Sequence, residues 1–454
     1  MAMETLNPAN GELIATFDYW DEKKIDVVLD QVKQASESWQ SISFPEKAKL
    51  LLAAAQDLRK NKQEYADLIT LEMGKPTTEA KGEIEKCAAV CDYYAENGAA
   101  FLADEIIESD AGKSMVAHIP VGTVLAVMPW NYPFWQVLRF AAPSLMAGNT
   151  CLLKHASNVP QCAQAIENVF KRAGFPDNVF RSLMISAGQT AAVIADDRVN
   201  AVTLTGSEPA GRQVAGTAGA NLKKSVLELG GSDAFVVLED ADLDLASTVA
   251  VQSRFLNAGQ SCIAAKRFIL VDEIAAEFLT AFKLKASKLT VGDPTKEKTQ
   301  IGPMARVDLR DELHVQVTDS IKAGATALLG CKPADRPGAY YEPSILDNVK
   351  PGIRAYEEEL FGPVAIVIHA RDEADALFIA NDHRYGLGGT VFTKDARRGE
   401  AFARKMQSGA TFVNGLVKSD PRLPFGGVKA SGYGRELSRL GILEFVNAKT
   451  IWIK

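Results

Sequence analysis

The sequence predicts an α/β fold with two domains, each built on a parallel sheet. In the second quarter of the chain short apolar runs alternate with helical stretches, in the order 124–127, 151–153, 160–173, 201–204 and 208–218. Such alternation is typical of a parallel sheet whose faces are covered by helices. At 454 residues the chain also exceeds what one hydrophobic core usually supports. We therefore expect two domains with separate cores.

A second α/β series follows the glycine pair Gly230-Gly231. Residues 235–238 and 267–271 have the β-branched and aromatic composition of strands, whereas 242–256 and 274–290 have the periodicity of helices. The glycine pair separates the two series and is the predicted domain boundary.

The first quarter of the chain, residues 22–105, is predicted to be helical. Its apolar residues recur three and four positions apart, beginning with Ile25, Val28, Leu29 and Val32.

Composition and charge argue against several classes of protein. Apolar residues make up 47% and charged residues 24% of the chain, which are ordinary values for a globular protein. A net charge of −7 without a basic stripe argues against a nucleic-acid partner. No apolar run reaches the ~20 residues that cross a bilayer, and the start of the chain lacks the pattern of a signal peptide. We expect a cytoplasmic protein that binds neither membranes nor nucleic acids.

The metal-binding and nucleotide-binding motifs that depend on close spacing are absent. Six cysteines and five histidines are scattered along the chain, so no metal site is predicted. The cysteine pattern fits a reducing compartment. The sequence has neither GxGxxG after an early strand nor GxxxxGK[ST].

Cys262 is the first candidate for chemistry. It follows a glycine-containing turn at 257–261, and Glu228 stands just before the glycine pair on an earlier segment. A thiolate can attack a carbonyl carbon, and a carboxylate of raised pKa can later activate water. Taken alone, the two residues favour the simpler interpretation, a buried structural cysteine and a surface glutamate, because free cysteine is among the most buried residue types.

Seven local strings decide between these interpretations. They begin at residues 129, 154, 205, 227, 259, 358 and 424, and read PWNYP, KHAS, TGS, LELGG, GQSC, EELFGPV and PFGG. Their order, spacing and identity resemble the aldehyde dehydrogenase superfamily, and the likeness extends from Asn7-Pro8 to the end of the chain. The nucleotide-binding fold of that family lacks the ordinary glycine motif, so the resemblance also explains its absence here.

The resemblance implies the aldehyde dehydrogenase fold, with two parallel-sheet domains and a small β oligomerisation element. The implied division gives a nucleotide-binding domain at 1–110 and 129–230, a catalytic domain at 231–424, and an oligomerisation element at 111–128 and 425–454. Residues 111–120 have the composition of a strand, which is compatible with this division. A homodimer or homotetramer is expected.

The resemblance also implies three catalytic residues. Cys262 corresponds to the nucleophile, which forms a thiohemiacetal and then, after hydride transfer, a thioester. Asn131 corresponds to the side-chain donor that stabilises the oxyanion together with the backbone N–H of Cys262. One such donor contributes roughly 3–4 kcal/mol in other acyl-transfer enzymes. Glu228 corresponds to the general base that draws a proton from the hydrolytic water.

A nicotinamide cofactor site is implied as well. Lys154 resembles the lysine that holds the adenosine ribose, and Glu359 resembles the carboxylate that binds the nicotinamide ribose. Gly206 and Ser207 stand at the start of a predicted helix, whose N-terminal N–H groups suit a pyrophosphate. The implied cofactor-binding set is Trp130, Lys154, Ser157, Gly206, Ser207, Glu359 and Phe361.

Ser157 departs from the pattern of many NAD-using members, which carry a glutamate three residues after the lysine. A carboxylate there would repel a 2′-phosphate, whereas a hydroxyl leaves space and can donate a hydrogen bond. The sequence therefore predicts NADP as cofactor, with NAD as the weaker one.

Arg139 and Ser419 resemble the arginine and serine that bind the distal carboxylate in bacterial succinate-semialdehyde dehydrogenases. Trp135 lies one helical turn before Arg139 and is a predicted wall of the substrate pocket. These positions predict succinate semialdehyde as the substrate. Arg254 is a candidate for a second cation, although its position does not match the family's second arginine.

Three alternatives stay open at this point. The same chemistry could act on glutarate semialdehyde or on a small aromatic aldehyde, with Trp135 and Phe425 as pocket walls. The chain could instead be a thiol hydrolase or acyltransferase without redox chemistry, against which the cofactor positions argue. It could also be a non-enzymatic relative, against which the intact Cys262, Glu228 and Asn131 argue.

Overall fold

The structure is a computed structural model that describes residues 2–454, so Met1, the first residue of the predicted nucleotide-binding domain, lies outside the described residues. The strands are, in chain order, β1 Ala2–Leu6, β2 Leu13–Asp18, β3 Glu105–Ile106, β4 Lys113–Pro120, β5 Thr123–Met128, β6 Thr150–His155, β7 Phe180–Ser182, β8 Ala201–Thr205, β9 Lys224–Glu228, β10 Asp233–Val237, β11 Ala265–Val271, β12 Thr326–Leu329, β13 Ser344–Asp347, β14 Val364–Ala370, β15 Tyr385–Gly386, β16 Gly388–Phe392, β17 Ala410–Val413, β18 Val428–Lys429, β19 Gly432–Tyr433 and β20 Val446–Ile453.

The helices are, in chain order, α1 Glu22–Gln40, α2 Phe44–Lys60, α3 Lys62–Met73, α4 Thr77–Phe101, α5 Trp135–Ala147, α6 Pro160–Arg172, α7 Ala187–Ala195, α8 Glu208–Ala220, α9 Leu243–Phe255, α10 Asp272–Ala286, α11 Val307–Lys322, α12 Arg354–Glu357, α13 Glu373–Asn381, α14 Ala396–Ala403 and α15 Ser438–Leu443. A short 3-10 helix, Leu256–Gly259, follows α9. None of the helices described is long and apolar enough to cross a membrane.

The first domain is built on a six-stranded sheet in the order β19-β9-β8-β5-β6-β7. Its five longer strands are parallel, and β19 is antiparallel to β9. Successive residues of β5 enter different cores because strand side chains alternate between the two faces. Val124 and Ala126 pack with Ile84 on one face, whereas Leu125 packs with Ile25 on the other.

The second domain is built on a seven-stranded sheet in the order β12-β13-β14-β11-β10-β16-β17. Only β12 is antiparallel to its neighbour. The chain passes from one sheet to the other between β9 and β10, through Gly230-Gly231. The predicted α/β class with two mainly parallel sheets is confirmed.

The small β element differs from its predicted boundaries. It is a three-stranded sheet in the order β20-β4-β3, in which β4 and β20 pair in register from Pro120 with Val446 to Lys113 with Ile453. The prediction that it extends over 111–128 is wrong, because β5 is fully apolar and lies in the middle of the six-stranded sheet. Of the predicted tail 425–454, β19 also joins the six-stranded sheet, so only β20 belongs to the small element.

The topology brings opposite edges of the two sheets together. Asn131, Lys154, Gly206 and Glu228 lie at the carboxyl ends of strands β5, β6, β8 and β9. Cys262 precedes β11 and Phe361 precedes β14, so both lie at the amino edge of the seven-stranded sheet. Ligands of open α/β sheets bind at the carboxyl edge, and this edge faces the turn that holds the cysteine.

Candidate active site

The turn before Cys262 has an unusual backbone. Asn257, Ala258 and Gly259 are all left-handed, with φ of 55°, 51° and 71°. Left-handed backbone costs about 1–2 kcal/mol for a residue such as alanine, so the surroundings must hold the turn. The fully buried Arg254 does so, because its guanidinium donates to the carbonyls of Gly259 at 2.7 Å, of Ala265 at 3.0 Å and of Gly362.

This arrangement corrects the interpretation of Arg254 as a second cation for the substrate. Its guanidinium points away from the cavity beside Cys262 and into the loop carbonyls, and the residue does not line that cavity. Arg254 positions the turn at 257–262, which we call the nucleophile turn because it carries the predicted nucleophile.

Lys266 holds the other side of the same turn. Its buried ammonium donates to the carbonyls of Ser261 and Cys262, each at 2.9 Å, and to that of Ala264 at 3.3 Å. The same ammonium lies 3.1 Å from a carboxylate oxygen of Glu359. One cation therefore links the nucleophile turn to the predicted ribose-binding carboxylate.

The side-chain amide of Asn131 is fixed against this turn. Its Nδ2 donates to the Gln260 carbonyl at 3.0 Å, and its Oδ1 accepts from Nε2 of Gln136 at 3.1 Å. Asn257 donates in turn to the Asn131 carbonyl at 2.8 Å. These bonds fix the orientation of the amide and do not use its second N–H.

Glu228 ends β9 as a buried carboxyl group. It is 2% exposed, and within residues 2–454 neither of its carboxyl oxygens accepts a hydrogen bond. Burial, followed by the negative charge of Glu436, raises the pKa of Glu228 well above its ordinary value. An unpartnered buried carboxyl group is costly, and it is the kind of group that serves as a general base.

Two glycines allow the Glu228 segment to approach the nucleophile. A Cβ at Gly231 would lie 2.8 Å from the Cys262 carbonyl oxygen, and a Cβ at Gly230 would meet a carboxylate oxygen of Glu359. At Gly231 the contact is with backbone, which cannot move aside, so that position requires glycine.

The Cys262 thiol is half-buried, whereas the other five cysteines are buried. Burial raises the pKa of the thiol, and the charges of Lys266 and Arg139 lower it in part. The thiol is thus protonated at neutral pH, and its attack on a carbonyl requires a proton acceptor.

A cavity of about 330 Å³ opens beside Cys262. Its lining includes all three predicted substrate residues, Arg139, Ser419 and Trp135, together with Phe425. Arg139 is 3% exposed, and its guanidinium carbon lies 4.5 Å from the centre of the Phe425 ring. The structure therefore brings the predicted nucleophile and the predicted substrate residues to one cavity.

Two partners of these substrate residues were not predicted from the sequence. Arg139 forms an ion pair with the buried Glu436 at 2.5 Å. Ser419 accepts a hydrogen bond from Lys86 at 2.6 Å. Lys86 is on α4, more than 300 residues from Ser419 in the chain. Because α4 carries many charged residues, nothing in the sequence distinguishes this lysine from the others.

Two groups of the predicted cofactor site lie at the six-stranded sheet. They are the ammonium of Lys154, which has no ion-pair partner within the described residues, and the N-terminus of α8, which has no side-chain cap. Lys154 is half-buried in β6, and no carboxylate of residues 2–454 lies within 4.0 Å of its ammonium. Burial lowers the pKa of Lys154. Ser157 is exposed just beyond the strand. Ser207 caps α8 without a side-chain capping bond, and the Glu208 carboxylate is bound to Arg212.

The remaining cofactor residues come from loops of both sheets, since Trp130 follows β5 whereas Glu359 and Phe361 precede β14. Trp130 and Phe361 meet edge to face at 5.8 Å between ring centres, and Glu359 lies beside Gly230 and Lys266. A desolvated cation without a carboxylate partner, a free helix N-terminus and the carboxylate of Glu359 before β14 fit a phosphate-bearing dinucleotide. In the part of the chain that the structure describes, no group of acidic, histidine or cysteine side chains could hold a metal ion.

The sequence matches the Aldehyde dehydrogenase family over residues 1–451. The chain belongs to the aldehyde dehydrogenase family. The family resemblance seen in the seven strings is thereby confirmed.

Relatives of this aldehyde dehydrogenase share its whole length. A probable succinate-semialdehyde dehydrogenase [NADP(+)] of Synechocystis sp. is 49% identical over 453 residues, covering 100% of each chain. Succinate-semialdehyde dehydrogenase [NADP(+)] 1 of Mycobacterium tuberculosis is 46% identical, also over 100% of each chain. The crystal structure of the succinic semialdehyde dehydrogenase from Streptococcus pyogenes, in complex with NADP+, has a TM-score of 0.98 at 38% identity and full coverage of both chains.

Proposed function

We propose that this aldehyde dehydrogenase oxidises succinate semialdehyde to succinate with NADP+. The observation that carries the proposal is the cavity beside Cys262, into which Arg139 and Ser419 bring a cation and a hydroxyl group. Succinate semialdehyde has an aldehyde at one end and a carboxylate at the other. Its binding site therefore needs a thiol beside the aldehyde carbon and a cation beside the carboxylate, both in one enclosed space. The names of the full-length relatives support the same substrate and cofactor.

The chemistry starts at the sulfur of Cys262. Cys262 is half-buried, so its thiol can pass its proton to solvent. The sulfur then forms a bond to the aldehyde carbon, and the π electron pair of the carbonyl moves to its oxygen, which becomes negatively charged. Asn131 Nδ2 and the backbone N–H of Cys262 would stabilise that oxygen. Arg254 and Lys266 keep the turn rigid while this happens, since both donate to its carbonyls.

NADP+, when bound, supplies the hydride acceptor. Lys154, Ser157, Gly206 and Ser207 would hold its adenosine and phosphate groups, and Glu359 would hold the nicotinamide ribose.

The acyl group stays on Cys262 as a thioester until water removes it. Glu228 takes a proton from that water, the oxygen adds to the thioester carbon, and the sulfur leaves as the carboxylate product forms. The buried position of Glu228 keeps its carboxyl group basic enough for this step.

The proposal includes a homodimer or homotetramer in the cytoplasm. The three-stranded element carries several exposed apolar side chains, among them Ile106 at 66%, Trp452 at 51% and Ile453 at 48% exposure. Apolar side chains on an open sheet are typical of a surface that another chain covers. Six free cysteines support a reducing compartment.

Substrate choice is tested with variants of the Arg139–Glu436 pair. Arg139→Ala alone would leave the Glu436 carboxylate buried without its cation. We therefore compare R139A/E436Q with E436Q, using succinate semialdehyde and butanal. We expect removal of Arg139 to raise the KM for succinate semialdehyde about 10–100-fold, as loss of a charge-assisted hydrogen bond does, and to change the KM for butanal less than about threefold.

The parent enzyme is assayed with succinate semialdehyde, butanal, glutarate semialdehyde and benzaldehyde. A higher kcat/KM for butanal, glutarate semialdehyde or benzaldehyde than for succinate semialdehyde would overturn the substrate proposal. If R139A/E436Q showed the same rise in KM over E436Q for butanal as for succinate semialdehyde, Arg139 would have no role in binding the carboxylate.

Cofactor choice is tested at Ser157. We expect Ser157→Glu to lower kcat/KM for NADP about 10–100-fold, because its carboxylate repels a 2′-phosphate, and to leave or improve the value for NAD. Ser157→Ala is the matched control, which removes the hydroxyl group without adding charge and should cost only a few-fold. A parent enzyme with a higher kcat/KM for NAD than for NADP would contradict the assignment.

A further inference from the structure

Lys86 lines the cavity beside Cys262 and is a cation that the sequence did not reveal as part of the site. Helix α4 turns Glu79, Glu83 and Lys86 toward the cavity, at the three- and four-residue spacing of one helix face. The Lys86 ammonium donates to Ser419 Oγ at 2.6 Å and lies 4.2 Å from the centre of the Trp135 ring. It therefore touches two of the three residues assigned to the substrate.

The charge of Lys86 is not neutralised. No carboxylate among residues 2–454 lies within 4.0 Å of its ammonium, and the nearest acids are already paired: Glu83 with Lys75, and Asp420 with Arg422 at 2.6 Å. The two buried cations of the cavity, Arg139 and Lys75, are paired with Glu436 and Glu83. Lys418 also borders the cavity, but it is exposed and its charge is solvated by water.

Holding this charge in the protein is costly. Desolvation, followed by repulsion from Arg139, lowers the pKa of Lys86 to about 8. An anion bound beside the ammonium would offset that cost. The contacts leave room for one, because Lys86 donates one of its three N–H groups to Ser419 and the Ser419 hydroxyl hydrogen stays free to donate.

We propose that Lys86 binds the distal carboxylate of the substrate, jointly with Ser419 and Arg139, and so makes the enzyme selective for aldehydes that end in a carboxylate. This inference rests on the proposed function and names the residue that supplies the uncompensated charge. Arg139 shares its charge with Glu436, whereas Lys86 is free to form its ion pair with the substrate.

The experiment compares Lys86→Met and Lys86→Arg with the parent enzyme at pH 7. Methionine retains an unbranched apolar stem beside Trp135 and removes the charge, whereas arginine retains the charge. We expect K86M to raise the KM for succinate semialdehyde about 10–100-fold and to leave kcat/KM for butanal within about threefold. K86R should stay within a few-fold of the parent for both aldehydes.

The KM for succinate semialdehyde, measured as a function of pH, tests Lys86 in the parent enzyme. A lysine with a purely structural role would not affect this pH dependence. The groups that face Lys86 are Arg139 on α5, Glu83 and Cys87 on α4, and Asp420 with Lys418 on the loop after β17. Because Lys86 binds the anion only when protonated, the KM for succinate semialdehyde should be flat below about pH 8 and rise above it. The rise should be absent for butanal, and absent in K86R, whose guanidinium stays charged.

The outcomes separate this inference from the proposed function. If the parent enzyme does not favour succinate semialdehyde over butanal, the proposed function fails and Lys86 has no carboxylate to bind. If the parent favours succinate semialdehyde and K86M keeps the same preference, only the role of Lys86 is overturned. Should K86M not fold, a KM for succinate semialdehyde that stays flat to pH 9.5 in the parent overturns the role without any variant.

Discussion

Replacing Cys262 by alanine is expected to abolish aldehyde oxidation, with kcat lower by about 10⁴–10⁶-fold for charged and uncharged aldehydes alike. Loss of the nucleophile has effects of this size in other acyl-transfer enzymes, because the remaining binding groups cannot replace the covalent step. The loss should be the same for every substrate, since the sulfur acts on the aldehyde carbon and not on the distal group. Steady-state formation of NADPH measures it.

Binding should survive this substitution. The side chain is small and half-buried, and the turn is held through backbone carbonyls by Arg254 and Lys266, so we expect unchanged NADP+ affinity and melting temperature. Iodoacetamide should label one thiol per parent chain and none in C262A, because the other five thiols are buried. Labelling should quicken as pH rises, since the raised pKa keeps the thiolate scarce. A C262A enzyme within tenfold of the parent would refute the covalent mechanism.

The sequence predicted much of this site because the chemistry is concentrated in short strings. The periodicity of apolar residues located the strands β5, β6, β8, β10 and β11 and the helices between them. The family resemblance then named Cys262, Asn131, Glu228 and the cofactor residues, which the structure places on facing edges of the two sheets. Apolar periodicity and family strings can therefore predict those strands and site residues that are encoded by neighbouring residues in the chain.

What the sequence did not predict depends on contacts between distant residues. Lys86 and Ser419 are 333 positions apart, and the partners Arg139 and Glu436 come from α5 and from the loop before α15. Lys266 shows the same limit, because its role follows from a turn whose carbonyls converge only in the folded chain. The misplaced boundary at residue 128 has a related cause. β4 and β5 are adjacent in sequence, and only pairing shows that they belong to different sheets.

Glu228→Gln is expected to separate the two halves of the reaction. Without a base the thioester on Cys262 persists, so we expect a burst of about one NADPH per active site followed by steady turnover about 10²–10⁴-fold slower than in the parent, the usual contribution of a general base. Hydroxylamine, which attacks a thioester without needing Glu228, should restore turnover and release a hydroxamate. Rapid-mixing measurements at 340 nm resolve burst and steady state. Steady turnover within threefold of the parent would exclude Glu228 as the base.

The same substitution should make the protein more stable at neutral pH. In the folded protein the pKa of Glu228 lies well above its ordinary value, so between the unfolded and the folded pKa the folded state keeps a proton that the unfolded state has lost. Stability therefore falls as pH rises above the unfolded pKa of about 4.5, and glutamine removes that loss. We expect the melting temperature of E228Q, relative to the parent, to increase between pH 4 and pH 8. A difference in melting temperature that stays constant from pH 4 to pH 8 would mean that Glu228 is ionised in the folded enzyme. In that case the activity of the parent would not rise toward alkaline pH, as it should if a buried base must first lose its proton.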